Sequence, residues 1–511
     1  MHHTHRHIWP VPLIFLFILA SCATTEREVT VVDRDPGVTE TDTLRTPADE
    51  ERILRIGELN PVKSLDPLYA LNTTSRRTVL QLYEGLVRLD EHNEVKPAGA
   101  RSWEISDDSL TYTFTLNRNV FFHDNEVFPN GRGRRVRAED YEQIFYRMTS
   151  PEVPSVAAEL FMDDIRGFED YYREQREVFF EEDRFVDSID GIRVENDTTL
   201  TFELNEPSAS FLKKLATPFA VVYPQEAVRN RTEGLRRNPV GTGPFSMDSV
   251  IGDSIFVMQG NEDYIRRGEN DPAPEIDRLE ILHIPDEIRL YQQLSLENLD
   301  MIVDLGPRMI GELVDETGEL TSTYRDQYRL VVSDRSEPIR ISYNENNRFR
   351  LTRDHAQALA AQLSEADLID HTGIASLSIT RQFDSNSTAY FEELKERFPE
   401  SEADEPLPIA FQRDTDVGMI TGELFAQLSD MLEMSFEPSR VRTRNIFMFV
   451  DRPMLAYPGQ EVRVTQDELL RLRYDRYLIT SPETEGVRLN DLAWWLDLTH
   501  VQVPKMSDPE L

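Results

Sequence analysis

Cysteine, lysine and long apolar segments are scarce in this chain of 511 residues. Its single cysteine is Cys22, which excludes intramolecular disulfides, cysteine-rich zinc sites and a thiol nucleophile in the folded part. Only six of the 55 basic residues are lysines. No segment after the first 22 residues approaches eighteen consecutive apolar residues, so we expect no membrane-spanning helix there.

Common catalytic signatures are missing as well. The sequence has no Gly-x-Ser-x-Gly elbow, no His-Glu-x-x-His pair, no Walker loop and no EF-hand pattern. Outside the first 22 residues no two histidines lie within four positions of each other; they are His92, His123, His283, His355, His371 and His500. We therefore expect neither an enzyme nor a bound metal or cofactor.

Negative charge dominates the composition. The formal net charge is −38, which argues against a nucleic-acid partner because phosphate binding needs a basic face. The one basic cluster lies at Arg132, Arg134, Arg135 and Arg137, where we expect a solvated loop neutralised by nearby acids. The acidic surface fits either a salt-adapted protein or an ordinary extracytoplasmic one.

The N-terminus has the pattern of a processing signal. An apolar run from Ile8 to Ala20 follows His2, His3, His5 and Arg6 and is too short to span a bilayer comfortably. It ends in Leu19-Ala20-Ser21-Cys22, which resembles a bacterial lipobox. Residues 1–22 are therefore predicted to be a lipoprotein signal peptide with Cys22 as the lipid attachment site; the alternative is an ordinary signal with a chance cysteine.

Residues 23–50 are rich in threonine and acid and have almost no core-forming side chains. This composition predicts a flexible tether, which fully extended could reach about 90 Å from a membrane surface.

Helical and strand patterns alternate over the rest of the chain. Apolar side chains recur at every second position from Leu110 to Leu116, which predicts a half-buried strand. Asp286 is predicted to cap a helix that contains Leu290 and Leu294, and a charged helical stretch is expected between 161 and 180. The segment 239–245 (PVGTGPF) predicts a rigid turn rather than a nucleotide loop, because it lacks the required third glycine or lysine. Alternating elements of this kind predict two α/β lobes.

Several segments resemble one known family in sequence and in order. They are YEGLVRLDEHNEVKPAGARSWEISDDSLTYTFTL at 83–116, FFHD at 121–124, VRAEDYEQIFYRM at 136–148, TLTFELNEPSASFLKKLA at 199–216, NPVGTGPF at 238–245, NEDYIRRGENDPAPEIDRLEILHIPD at 261–286 and LENLDMIVDL at 296–305. Over residues 53–350 the chain is similar to the family 5 extracytoplasmic solute-binding proteins of ABC importers, which include oligopeptide, dipeptide and nickel binders.

The resemblance implies a two-lobed α/β periplasmic binding protein fold of type II, in the peptide-binding cluster, with an extra subdomain on the first lobe. The first lobe would comprise residues 51–92, 190–284 and 476–511. Residues 93–189 would form the extra subdomain, and residues 285–475 a shortened second lobe.

The last third departs from the family pattern. Ala356, Ser364 and Glu365 stand where arginine, aspartate and arginine are usual in the family. The segment 447–462 (FMFVDRPMLAYPGQEV) corresponds to the family pattern in position but not in residue identity. The segment that carries the acidic partner of a peptide ammonium is not found. Two hypotheses follow: a receptor that delivers a peptide-like solute to an ABC permease, or a non-transport lipoprotein that uses the same scaffold for docking or envelope organisation.

The resemblance also suggests solute-contacting residues, each with a structural alternative. They are Asp66 (or a turn cap), Tyr83 (or a core side chain), Thr242 (or a turn hydroxyl), and Asn344 and Glu345 (or exposed loop residues). The last two follow a strand that is expected to lead back to the crossing between the lobes. We expect a monomer in the periplasm, anchored to a membrane through Cys22, with a peptide or other small solute and permease subunits as partners.

Overall fold

The computed structural model describes residues 52–90, 94–229, 234–262, 264, 276–315, 317–333, 339–345, 347–372, 377–383, 388–399, 406–411, 429, 432–438, 448–451, 468–473 and 476–480. Several predictions lie outside the described residues: the signal segment 1–22 with Cys22, the tether 23–50, and the part of the first lobe expected after Thr480. The described residues belong to one unit that begins at Glu51.

Short strands and helices alternate along the described chain. The strands are β1 (Ile53–Glu58), β2 (Val87–Leu89), β3 (Val95–Pro97), β4 (Ala100–Ile105), β5 (Thr111–Leu116), β6 (Ile192–Asn196), β7 (Thr199–Glu203), β8 (Phe245–Ile251), β9 (Ile255–Gly260), β10 (Arg278–His283), β11 (Met301–Ile302), β12 (Arg329–Ser333), β13 (Ile339–Tyr343), β14 (Ser378–Arg381), β15 (Leu407–Phe411), β16 (Phe436–Pro438), β17 (Met448–Asp451), β18 (Glu468–Arg473) and β19 (Arg476–Thr480). The α-helices are α1 (Thr73–Leu82), α2 (Ala138–Met148), α3 (Val156–Glu159), α4 (Phe168–Glu177), α5 (Phe211–Leu215), α6 (Gln225–Arg229), α7 (Glu287–Ser295), α8 (Pro307–Leu313), α9 (Arg353–Gln362), α10 (Glu365–Thr372) and α11 (Thr388–Arg397).

Two large sheets organise these elements. The first has seven strands in the order β12-β19-β11-β1-β10-β9-β8, and the second has six in the order β14-β18-β13-β17-β15-β16. In the seven-stranded sheet, β1 is central and runs parallel to both β10 and β11. A four-stranded sheet, β4-β5-β7-β6, and the β2-β3 hairpin complete the described sheets.

The predicted alternation at 110–116 is confirmed in β5. Tyr112, Phe114 and Leu116 are buried, whereas the threonines between them are half-buried. The Phe114 ring packs edge-on against Phe202 of β7 with ring centroids 5.8 Å apart, an aromatic contact across neighbouring strands. β5 therefore anchors an apolar core that continues to the seven-stranded sheet.

A second apolar core includes buried residues of α7, α8 and the six-stranded sheet. The predicted cap of α7 is confirmed, because the Asp286 carboxylate accepts a hydrogen bond from the Arg289 N–H. The charged helix expected within 161–180 is shorter than predicted. Gly167 has a left-handed φ of 74° at its start, and α4 begins only at Phe168.

The domain boundaries stay a prediction. The seven-stranded sheet takes strands from both sides of the expected boundary after residue 284, since β11 and β12 pair within it. Likewise the four-stranded sheet includes β6 and β7, which follow the expected end of the extra subdomain at residue 189.

Candidate functional site

A buried group of charged side chains lies where the parallel strands β1 and β11 end. Glu58 is the last residue of β1, Asp304 follows β11, and Arg77 projects from α1. Arg77 donates to both Glu58 oxygens at 3.0 and 2.9 Å and to the Asp304 carboxylate at 2.7 Å. The side chains of Arg77 and Glu58 are each only 2% exposed, and that of Asp304 is 15% exposed.

This Glu58–Arg77–Asp304 cluster is held rigidly. Thr74, one turn before Arg77, donates to Glu58 at 3.2 Å. Asp304 has a left-handed φ of 59°, a conformation that non-glycine residues rarely adopt and that clusters at functional sites. Because open α/β sheets bind ligands beyond the carboxyl ends of their parallel strands, this edge is the part of the sheet suited to a solute site.

Few features of the sequence point to this cluster. Glu58 does directly follow a short stretch with alternating apolar residues, Leu54 and Ile56, which is a usable signal of a strand end. Yet it is one of 93 acidic residues, and its partners lie 19 and 246 positions away along the chain.

Asp66 lies beside a polar cavity of about 890 Å³. Its two carboxylate oxygens accept hydrogen bonds from Arg147 at 2.9 and 2.5 Å. Asp66 also caps the 3₁₀ helix Pro67–Tyr69 by accepting from the Leu68 N–H, as its structural alternative predicted.

Tyr83 is buried close to Asp66. Its ring packs edge-on against Tyr223, with centroids 6.5 Å apart, and the guanidinium of Arg147 lies over the Tyr223 ring at 5.2 Å. Burial, reinforced by the nearby Asp66 carboxylate, raises the pKa of the Tyr83 hydroxyl well above its usual value. The structure thus brings Asp66 and Tyr83 into one buried group.

Thr242 is fully buried in the turn that packs against the end of α1. Its hydroxyl donates to Glu84 at 3.2 Å, and the Tyr264 hydroxyl donates to the other Glu84 oxygen at 2.8 Å. Gly243 N–H in turn donates to the Leu82 carbonyl at 2.9 Å, so this segment lies next to Tyr83.

Asn344 and Glu345 lie elsewhere, after β13 of the six-stranded sheet. Asn344 is buried, and its carbonyl accepts a hydrogen bond from the Asn347 amide at 2.9 Å, whereas Glu345 is exposed. β13 follows the first crossing, which comes after Ser333, and its last residues pair with Met448 of β17 and Glu468 of β18. Contact of Asn344 and Glu345 with a solute stays a prediction.

The basic loop is neutralised as predicted at Arg134. Its guanidinium pairs with Asp140 and with Glu226, both at 2.7 Å. Within the part of the chain that the structure describes, no three histidine, cysteine or carboxylate side chains converge as metal ligands would. None of the helices described there has the length and apolar character needed to cross a membrane.

Comparison with known proteins adds a family match. The sequence model of "Bacterial extracellular solute-binding proteins, family 5 Middle" matches residues 94–361, more than half of the chain. Heme-binding protein A of Haemophilus influenzae is 29% identical over 229 residues, which cover 44% of this chain and 38% of that protein. A dipeptide-binding protein of Escherichia coli is 30% identical over 234 residues, covering 45% of this chain and 40% of the relative. The matched region thus spans about two fifths of the length of these relatives.

Solved structures resemble the chain over a longer stretch. A periplasmic oligopeptide-binding protein of Borrelia burgdorferi has a TM-score of 0.60 at 18% identity, covering 78% of this chain and 79% of that one. NikZ of Campylobacter jejuni, in complex with Ni(L-His), has a TM-score of 0.59 at 14% identity, covering 85% and 94%. These likenesses confirm the predicted two-lobed α/β fold.

Proposed function

Because the chain belongs to the family 5 bacterial extracellular solute-binding proteins, we propose that it captures a peptide-like solute between two lobes and delivers it to an ABC permease. The family consists of solute-binding proteins, not enzymes. The family match over residues 94–361 is the observation that carries the proposal. The alternative of a non-transport docking lipoprotein gains no support from the comparisons.

The connection between the two sheets supports closure about a hinge. β12 pairs with β19 in one sheet, and β13 pairs with β18 in the other, all antiparallel. The chain therefore passes between the sheets twice on neighbouring strands, after Ser333 and after Arg473. Two adjacent connections allow rigid lobes to rotate while a few residues absorb the change.

We place the solute at the carboxyl edge of β1 and β11, next to the Glu58–Arg77–Asp304 cluster. Closure there would expel water and let backbone groups pair with a peptide main chain. Asp66, Tyr83, Thr242, Asn344 and Glu345 stay predicted contacts. The hydrogen bonds and ring contacts of the first three also give each a structural role in the first lobe.

The proposed site of action is the cell envelope. A monomer tethered by residues 23–50 to lipid on Cys22 would remain near a permease while its lobes open and close. This part of the proposal rests on the sequence pattern of the N-terminus. Mass spectrometry of protein from a bacterial host checks it: a diacylated Cys22 is expected at the mature N-terminus, and an unmodified residue there contradicts the anchor.

Thermal unfolding with ligand panels tests solute capture. Purified mature protein is heated with mixtures of di- to tetrapeptides, with nickel–histidine and with hemin, the last two chosen from the names of similar proteins. A ligand at 100 times its Kd stabilises the folded state by about 2.7 kcal/mol, which raises the Tm by a few degrees. Hits are confirmed by calorimetry. A Tm indifferent to every peptide mixture contradicts the peptide proposal, and a shift with hemin or nickel–histidine alone would reassign the solute.

A further inference from the structure

The cavity beside Asp66 is lined by an excess of basic side chains in an otherwise acidic protein. Its charged lining residues are Lys63, Arg147, Arg229, Arg236 and Arg237 against Asp66 and Glu152. We propose that this cavity binds a small polyanion, phosphorylated or polycarboxylated, at a site separate from the solute site between the lobes; Asp66 would then line the anion site instead of contacting the solute.

The basic side chains of the cavity differ in how closely they are matched by acidic partners. Arg147 is matched by Asp66 in a pair whose side chains are 16% and 5% exposed. Arg237 pairs with Asp253 at 3.3 Å, but their side chains are 62% and 75% exposed, so water competes strongly for that contact. Arg229 and Arg236 are exposed at the rim. The Nε2 group of Gln225, also in the lining, has no hydrogen-bond partner among the described residues.

The walls of the cavity are fixed before any ligand arrives. The Leu65 N–H donates to the Arg236 carbonyl at 3.0 Å, which ties two walls together. The Arg236 guanidinium lies over the Tyr69 ring at 4.4 Å, and the Tyr69 hydroxyl donates to the Glu152 carbonyl at 2.6 Å. Guanidinium groups held in this way present planar, paired donors that suit phosphate and carboxylate oxygens.

The position of this cavity distinguishes it from the proposed solute site, which lies between the lobes. A volume of about 890 Å³ falls within the range of small-molecule sites. Every lining residue lies between 63 and 237, before the first crossing to the six-stranded sheet. In a chain with a net charge of −38, such a positive cavity is a local exception that concentrates anions.

Isothermal titration calorimetry in phosphate-free buffer tests the inference. The probes are inorganic phosphate, citrate and a sugar phosphate, and sodium acetate at matched ionic strength is the blank. The variants are Arg229→Gln and the double variant Arg229→Gln/Arg236→Gln. The control is Arg173→Gln, an exposed arginine on α4 paired with Glu169. At least one polyanion is expected to bind the wild type, with at least a tenfold loss in the double variant and no change in the control.

Circular dichroism and Tm establish that each variant folds. No binding beyond the acetate blank, or equal binding by the double variant, overturns the proposal. Peptide-dependent Tm shifts are measured on the same proteins and should not change. If peptide and polyanion compete for binding, the two sites are not separate and the proposal is overturned. If a polyanion binds but no peptide shifts the Tm, only the proposed function is contradicted.

Discussion

At the scale of single residues, the most constrained group is the Glu58–Arg77–Asp304 cluster. One arginine satisfies two carboxylates that are almost removed from solvent. Burying such charges is costly, and the arrangement is stable only while every member is present. These residues therefore fix the edge at which we place the solute, whether or not they contact it.

Arg77→Met should leave two buried carboxylates without their cation. We expect the free energy of unfolding to fall by about 3–5 kcal/mol, measured by urea denaturation at neutral pH. Arg173→Met is the matched control, since its pair with Glu169 is 60% and 44% exposed and should contribute less than about 1 kcal/mol. Equal losses in the two variants would contradict a special role for the cluster.

His123 should make the protein sensitive to mild acid. Burial lowers its pKa from 6.5 to about 4, and its Nε2 lies 2.9 Å from the Gly243 carbonyl. In the unfolded chain the imidazole takes up a proton near pH 6.5, whereas in the folded protein it takes one up only near pH 4. The folded state therefore loses stability as the pH falls from 6.5 towards 4. The loss at pH 4 is about 3 kcal/mol from this group.

In the variant His123→Gln, the side-chain amide can still donate a hydrogen bond to the Gly243 carbonyl, but it does not titrate. Urea unfolding of both proteins from pH 7.5 to 4 isolates the histidine, because all other groups are shared. The variant should lose clearly less stability over that interval. Parallel curves would show that the imidazole is not protected from protonation.

At the scale of elements, the segment 239–245 was predicted as a rigid turn, and the structure gives the reason for its glycines. The Gly241 carbonyl accepts from the His123 N–H at 2.8 Å, and the Gly243 N–H donates to the Leu82 carbonyl at 2.9 Å. The turn is therefore packed between the end of α1 and the segment that contains His123. A side chain at either glycine would meet backbone rather than solvent.

Gly241→Ala should separate this turn from α1. A Cβ there would lie 1.9 Å from the Leu82 carbonyl oxygen, a contact that only a backbone shift can relieve. We expect a loss of at least about 3 kcal/mol in urea unfolding. Gly131→Ala is the control, because it has open space around it but a φ of +70°, and should cost only about 1–2 kcal/mol. Similar costs at the two sites would contradict the close packing.

At the scale of the whole molecule, two sheets share one chain that crosses between them on paired strands, and a net charge of −38 acts on both. Repulsion among so many acids opposes the folded state, and dissolved salt screens it. The double crossing and the charge are thus properties that no single element has.

Raising sodium chloride from 0.05 to 1 M should therefore increase the Tm by at least about 2 °C, measured by calorimetry at pH 7.5. Potassium chloride should act equally, because screening depends on ionic strength rather than on the cation. A Tm that falls with salt would show that attractive ion pairs outweigh the repulsion. A difference between the two salts would point instead to specific cation binding.

Sequence patterns predicted the local elements well because their causes are local. The alternation of β5 and the Asp286 cap of α7 depend on side chains within a few positions of each other. The position of β13 in its sheet has no such local cause, because β13 pairs with β17 and β18, which follow it by more than 100 residues.

The sequence alone determined the family, the α/β alternation and an acidic chain with little cysteine. Tertiary structure decided which side chains meet. Arg77 joins Glu58 and Asp304, Asp66 is matched by Arg147, and basic residues converge on a cavity, all through folding of distant segments. The physical reason is that buried charges are stable only beside partners, and such partners can come from any part of the chain.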